Sequence, residues 1–256
     1  MEFLLSKDRN CKDVIVLLHG GPGLDSGYFF PYLNPLLDYF SIAHFQQGNE
    51  NSKNIEDVVL EVKKVVDEVS QNSNVYLLGH SWGGALALEY VRRYPYEISG
   101  LILVSWVYDT EWHLYRDKLT VRRDTPDFAS LESANERFSN LTRAVAELYF
   151  NNEVLDVGKK ILDKINYNGD FWERFGSSYL YNELFSSDVV ASLKIPTISI
   201  TGANDLCVPV EYVRKGASMN PSILSVEIPG ADHFPFVQFP NEFNSFVINF
   251  IKERNI

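Results

Sequence analysis

Cysteine is scarce: two in 256 residues, Cys11 and Cys207. Two isolated thiols cannot build the cross-linked framework of small secreted domains, and they fit a reducing compartment in which both stay unlinked. The five histidines are His19, His44, His80, His113 and His233, with no pair four residues apart. The helical spacing of a zinc site is therefore missing, and no metal or other cofactor is expected. No apolar run approaches the length of a membrane span, and Met1 to Lys12 is too short and polar for a secretion signal. Basic residues are outnumbered, 23 against 34 acidic ones, for a formal net charge of -11. They form no stripe that could overcome this locally, so nucleic acid and anionic membrane are excluded as partners. What remains is a cytoplasmic protein acting on a small molecule.

What is present is a core. With 45% hydrophobic and 14% aromatic residues, the chain can bury one large domain, or a core domain carrying an insertion. Its centre is Leu77-Leu78-Gly79-His80-Ser81-Trp82-Gly83-Gly84. The apolar run Val75 to Leu78 predicts a strand buried on both faces, and Trp82 to Tyr94 predicts a helix that stops before Pro95. Between them lies a turn tight enough to need glycine at 79 and 83, with Ser81 at its apex, next to a helix N-terminus. Gly-x-Ser-x-Gly in a strand-turn-helix context is the arrangement that exposes a nucleophilic serine.

A second glycine-rich loop, His19-Gly20-Gly21-Pro22-Gly23, follows the strand Val14 to Leu18. Side-chain-free backbone there can point N–H groups into a crevice, as a developing oxyanion requires. Tyr28 to Phe40 predicts a helix, Ser41 to Phe45 a strand, and Asn54 to Asn72 an amphipathic helix with Ile55, Val58, Val59, Val62, Val65, Val66 and Val69 on one face. Strands follow at Leu101 to Val104, Ile195 to Thr201 and Leu224 to Ile228, and a last helix spans Asn241 to Arg254. This alternation implies a mostly parallel sheet with helices on both faces.

From Ser105 to Leu193 the pattern changes. β-Branched strands vanish and helical segments such as Ala134 to Phe150 take over, in a stretch too long for one crossover. Residues 1–106 and 191–256 are therefore expected to form the core domain, with 107–190 as an inserted helical cap. Trp106, Trp112 and Trp172 are candidates for an apolar pocket under it or for its own core. Asp109, Glu111 and Glu173 are candidates for binding a substrate amine or for a solvated face.

In open sheets of this kind, loops beyond the strands' carboxyl ends gather on one edge. Ser81, Asp205 and His233 each follow a strand, in the order acyl-transfer chemistry uses on such a scaffold. Ser81 would be the nucleophile, His233 the base that takes its proton, and Asp205 the group that orients the imidazole. The N–H groups of Trp82 and Gly21 would form the oxyanion hole. Asp109 is the alternative acid, while Asp232 adjoins His233 too closely to orient its ring. His80 reads as structural, and Cys207 falls near the site without an assigned role. Activity should rise as His233 loses its proton around neutrality.

These motifs resemble the α/β-hydrolase superfamily over nearly the whole chain outside the cap. His19-Gly20-Gly21-Pro22-Gly23 with Gly79-His80-Ser81-Trp82-Gly83-Gly84 resembles the proline iminopeptidase branch. The resemblance implies an α/β-hydrolase fold, the triad Ser81, Asp205 and His233, and Gly21 and Trp82 as oxyanion donors. The chain departs from the branch after its strand at Phe45. Relatives carry Asp-Gln-Arg-Gly-x-Gly-x-Ser there, and this chain has Phe45-Gln46-Gln47-Gly48-Asn49-Glu50-Asn51-Ser52. The early antiparallel strands of the fold are reduced to Glu2 to Leu5. The expected function is a serine hydrolase of a small ester, thioester, lactone or amide. An aminopeptidase and a non-catalytic ligand receptor on the same fold are the alternatives.

Overall fold

The computed structural model describes residues 3–6, 11–109, 133–176 and 187–253. Seven strands, β1 (Phe3–Ser6), β2 (Asp13–Leu18), β3 (Ser41–Phe45), β4 (Asn74–His80), β5 (Gly100–Val104), β6 (Thr197–Gly202) and β7 (Ile223–Ile228), form one sheet in the order β1-β3-β2-β4-β5-β6-β7. β1 runs antiparallel to β3, and every other pairing is parallel. In the central register Leu78 stands beside Leu17 on one side and Ile102 on the other. Such strands read as unbroken apolar runs because both faces are covered. On β2, Val14, Val16 and Leu18 enter one core while Ile15 and Leu17 enter the other.

The helices are α1 (Ile55–Val69), α2 (Trp82–Arg93), α3 (Ala134–Ala144), α4 (Leu155–Leu162), α5 (Gly169–Gly176), α6 (Ser187–Ser192), α7 (Val210–Ser218), α8 (Pro235–Gln238) and α9 (Pro240–Lys252). α1 starts at a capping box: the Asn54 side chain accepts from the Asp57 N–H, and the Asp57 carboxylate accepts from the Asn54 N–H. That pairing satisfies orphan donors which the helix cannot satisfy itself. Its valine face is buried with α2 in the first core, while α9 and the 24–40 segment cover the opposite face of the sheet. Among the described residues, no helix is long and apolar enough to cross a membrane.

The helix expected over Tyr28 to Phe40 is not continuous. Two short 3-10 turns, Ser26–Phe29 and Asn34–Asp38, stand in its place. Pro31 and Pro35 each remove an amide donor, and a residue before proline is driven away from helical angles. The aromatic and leucine density that suggested a helix is core packing: Tyr28, Phe29, Leu33, Leu36 and Phe40 are all buried. The helix expected over Ala134 to Phe150 likewise ends early, at Ala144, and a 3-10 turn covers Ala146–Leu148. Of the final helix expected to Arg254, that last residue lies outside the described residues.

Candidate active site

Ser81 joins β4 to α2 with φ 55° and ψ -120°. Positive φ is strained for a residue with a β-carbon, so the surroundings must hold it. The Ser81 N–H donates to the Val104 carbonyl at 2.9 Å, and the Gly84 N–H donates to the Ser81 carbonyl at 2.9 Å. A side chain at Gly83 would strike the carbonyls of Leu18 and His19, and one at Gly79 would strike the Gly83 backbone. Glycine at both positions lets the helix start against the ends of β2 and β4. Ser81 thus sits at the amino end of a 12-residue helix, where the backbone dipoles favour negative charge.

The loop after β2 lies directly on this turn. Gly21 has φ 122°, a left-handed angle that suits glycine. His19 is buried and neutral: its Nδ1–H donates to the Gly20 carbonyl at 3.0 Å, and Nε2 accepts from the Gln47 N–H at 3.1 Å. Burial lowers its pKa to about 4.

His233 follows β7 and Asp205 follows β6. The His233 Nδ1–H donates to Asp205 Oδ2 at 2.9 Å, and both side chains are buried. Asp205 Oδ1 accepts from the Cys207 and Val208 N–H groups at 2.8 Å each, which fixes the carboxylate. Burial, the largest single influence, lowers the His233 pKa, but the Asp205 carboxylate and the Cys207 side chain together raise it by more. The net direction is upward from the ordinary 6.5. Of the three carboxylates weighed for this role, Asp205 is the one that meets the ring. The Asp109 backbone meets the Tyr212 hydroxyl, and the Asp232 carboxylate accepts from the Asn151 N–H at 2.7 Å and Gln238 Nε2 at 2.8 Å.

Ser81, His233, Gly21 and Trp82 line one cavity of about 260 Å³. Its far wall comes from Phe138, Leu141 and Val145 on and just after α3, Leu162 on α4, and Trp172 on α5. Phe138 and Trp172 stack face to face at 4.9 Å. Among the described residues, no carboxylate lines this space. Of the three tryptophans singled out above, Trp172 is in the wall. Trp106 is core, its Nε1–H donating to Ser199 Oγ at 2.8 Å, and Trp112 lies outside the described residues. Of the carboxylates, Glu173 pairs with Arg137 and Glu111 lies outside the described residues. For Phe138, Leu141 and Val145 the one sequence signal is their spacing of three and four, which marks one face of a helix.

The loop 46–52, where the chain departs from its relatives, is organised by Glu61 of α1. This buried carboxylate accepts from the N–H groups of Gly48 and Asn49 at 2.8 and 3.1 Å, and from the Asn49 and Ser52 side chains. The loop in turn holds α5: Asn168 Nδ2 donates to the Gly48 carbonyl at 2.8 Å, and Arg174 donates to the Ser52 carbonyl.

A sequence model of the alpha/beta hydrolase fold matches residues 13–240. The chain belongs to the α/β-hydrolase fold family. As a member it is a hydrolytic enzyme, a reading its relatives share. It is 27% identical to a proline iminopeptidase of Lactobacillus acidophilus, over 92% of this chain and 88% of that one. Among solved structures, the enol-lactonase of Burkholderia xenovorans LB400 superposes with TM-score 0.76 at 17% identity, covering 98% of this chain and 96% of that one. An esterase of Rhodococcus sp. gives TM-score 0.76 at 17% identity, with 98% and 94% covered. At this identity the structural likeness of this α/β-hydrolase to both speaks for the fold.

Proposed function

We propose that this α/β-hydrolase is a serine hydrolase of small, neutral, apolar carboxylic esters, thioesters, lactones or amides, acting through an acyl-enzyme on Ser81. Ser81 Oγ attacks the carbonyl carbon while His233 Nε2 takes the hydroxyl proton, and Asp205 keeps the other ring proton on Nδ1. The oxyanion is held by the N–H groups of Gly21 and Trp82, each donor contributing about 3 kcal/mol of barrier reduction. Collapse breaks the bond to the leaving group, which receives the proton from His233. Water then repeats the sequence and releases the acid.

The observation that carries this reading is the cavity itself, with Ser81 and His233 on its floor and apolar side chains above. Residues 107–190 are assigned to an inserted cap, supported by the wall residues that α3, α4 and α5 contribute. The absence of a disulfide between Cys11 and Cys207 fits a cytoplasmic location. Kinship with a proline iminopeptidase favours a second reading, an aminopeptidase that needs a free substrate amine. A buried ammonium needs a charged partner, and the described cavity wall offers no carboxylate for one.

The test is intact-mass analysis after fluorophosphonate treatment of wild type and Ser81→Ala. One adduct on wild type and none on the variant is expected, followed by turnover of short-chain p-nitrophenyl esters. Faster cleavage of prolyl or alanyl arylamides, abolished by acetylating the amine, would establish the aminopeptidase instead. No adduct on either protein, together with tight binding of a small molecule, would favour the receptor.

A further inference from the structure

One chain of hydrogen bonds crosses the three loops that meet at the cavity. The Gly20 N–H donates to Tyr28 Oη at 2.6 Å. Tyr28 Oη lies 2.9 Å from His80 Nδ1, and His80 Nε2 lies 2.9 Å from the His233 carbonyl oxygen. Its two ends fix its direction. A backbone N–H can only donate and a carbonyl can only accept, so the His80 hydrogen sits on Nε2 and goes to His233. A neutral ring then leaves Nδ1 as an acceptor, and the Tyr28 hydroxyl donates to it while its oxygen receives the Gly20 hydrogen. The environment enforces this state: burial and the neighbouring His233 hold the His80 pKa well below its ordinary value, and burial keeps the Tyr28 phenol protonated.

Both rings are packed among aromatic neighbours, Tyr28 meeting Phe29 at 4.5 Å and Phe234 at 5.4 Å. The His80 ring meets those of Phe234 at 4.7 Å, His233 at 4.8 Å, Phe236 at 5.3 Å and Tyr28 at 5.5 Å. The loop at Gly20 rests on the turn so closely that a β-carbon there would stand 3.2 Å from Ser81 Cβ and 3.3 Å from His80 Nδ1. Each loop contributes a link at or beside its reactive group: Gly20 precedes Gly21, His80 precedes Ser81, and the last acceptor is the carbonyl of His233. His80 reaches the cavity edge, but both its nitrogens are used and it has none left for substrate.

We infer that Tyr28 and His80 are positioning residues that hold the oxyanion loop, the serine turn and the histidine loop at fixed mutual distances. Its kinetic consequence rests on the serine hydrolase reading above; the bonds themselves do not. Displacing a reacting group by about 1 Å lowers turnover by about 10²-fold. Removing the Tyr28 hydroxyl leaves the Gly20 N–H and His80 Nδ1 without their partner, so the loops are free to separate by such amounts.

The experiment measures kcat and KM for Tyr28→Phe, His80→Leu and His80→Gln, with every rate divided by the concentration of sites titrated with fluorophosphonate. That division removes losses caused by unfolding. Tyr28→Phe and His80→Leu should lower kcat about 10²-fold and leave KM within about threefold, because the interaction lost acts on the transition state and not on binding. His80→Gln, whose amide can accept from Tyr28 and donate to His233, should recover most of the loss. Nitrogen-15 NMR of wild type should show His80 protonated on Nε2 alone, with Gly20 amide exchange accelerated in Tyr28→Phe. Unchanged kcat per titrated site in Tyr28→Phe, or a His80 ring protonated on Nδ1, overturns the inference. If wild type takes up no fluorophosphonate, the hydrolase reading fails by itself. The NMR pair then decides whether the relay exists: an Nε2–H ring with faster Gly20 exchange supports it, and any other result refutes it.

Discussion

Asp205→Asn tests the acid–base geometry because the surroundings dictate how the new amide must sit. Asp205 Oδ1 accepts from two backbone N–H groups, those of Cys207 and Val208. An asparagine has one oxygen, and both of those donors require it. Its NH2 group is then turned toward His233 Nδ1, which now receives a hydrogen in place of donating one. The ring proton moves to Nε2, the nitrogen that should accept from Ser81, and the base is blocked. A wrong tautomer of this kind lowers kcat by about 10⁴-fold, roughly 5.5 kcal/mol of barrier. A second effect runs through pH. In wild type, burial lowers the His233 pKa, and Asp205 together with the Cys207 side chain raises it by more, to about 10. Only the neutral ring can act as base, so wild-type kcat/KM should rise with pH through a value above the ordinary 6.5. With the carboxylate gone, burial is opposed only by the Cys207 side chain, and the limb of the residual activity should move down in pH. The assay is p-nitrophenyl ester hydrolysis from pH 5 to 10 on both proteins, with melting curves as a check of folding. A loss smaller than about tenfold, or a limb that stays in place, would refute the assignment of Asp205.

Two predictions concern stability. Glu61→Gln keeps one acceptor oxygen for the Asn49 and Ser52 donors and turns an NH2 group toward the Gly48 N–H, so one buried donor loses its partner. The expected loss is about 1–3 kcal/mol, at about 2–4 °C of melting temperature per kcal/mol, and an unchanged melting curve would remove Glu61 from its role as loop anchor. Acid should destabilise the protein between pH 6.5 and 4. His19 and His80 are held neutral by burial, so over this range the unfolded chain binds more protons and stability falls as pH falls. His19 alone accounts for about 3 kcal/mol by this linkage. His233, with its raised pKa, has the opposite sign: its contribution is fully present below 6.5 and is lost as pH rises toward 10. Urea unfolding at pH 5, 6 and 7 measures the acid slope, and His19→Asn, which cannot titrate, should flatten it. Equal slopes in the two proteins would contradict the assignment.

What could be read from the sequence was local, or followed from a rule of topology. β2, β4, β5 and β6 announce themselves because strands covered on both faces must be apolar throughout. The turn at Ser81 announces itself because only glycine tolerates backbone that close. The meeting of Asp205 with His233 follows from parallel strands whose carboxyl ends share one edge. What could not be read depended on partners far along the chain. Trp106 reads equally as pocket or core until Ser199, 93 positions later, receives its N–H. Glu61, a charge among valines, gives no sign in the sequence of the Gly48 and Asn49 amides that fold onto it. The 28–40 segment misled because aromatic density signals burial without specifying a helix, and its prolines forbid one.

The same long-range pairing ties the helices of the cavity wall to the proposed chemistry as well as to the enclosure. Three consecutive residues after α3 meet three consecutive residues of the histidine loop. The Tyr149 ring lies on that of His233 at 5.6 Å, Phe150 stacks on Phe234 at 4.7 Å, and the Asn151 N–H donates to the Asp232 carboxylate at 2.7 Å. A few turns later the Asn166 N–H donates to Asp25 and the Asn168 N–H to the Gly23 carbonyl, at 2.8 Å each, beside the oxyanion loop. The segment that shapes the cavity wall is thus fastened to the loops after β2 and β7, two of the three that meet at the cavity. On the proposed mechanism, a change in the wall that alters which acyl group fits also reaches His233 and the loop at Gly20 and Gly21. In this arrangement substrate selection and turnover share residues, and they should move together when 149–151 or 166–168 is altered.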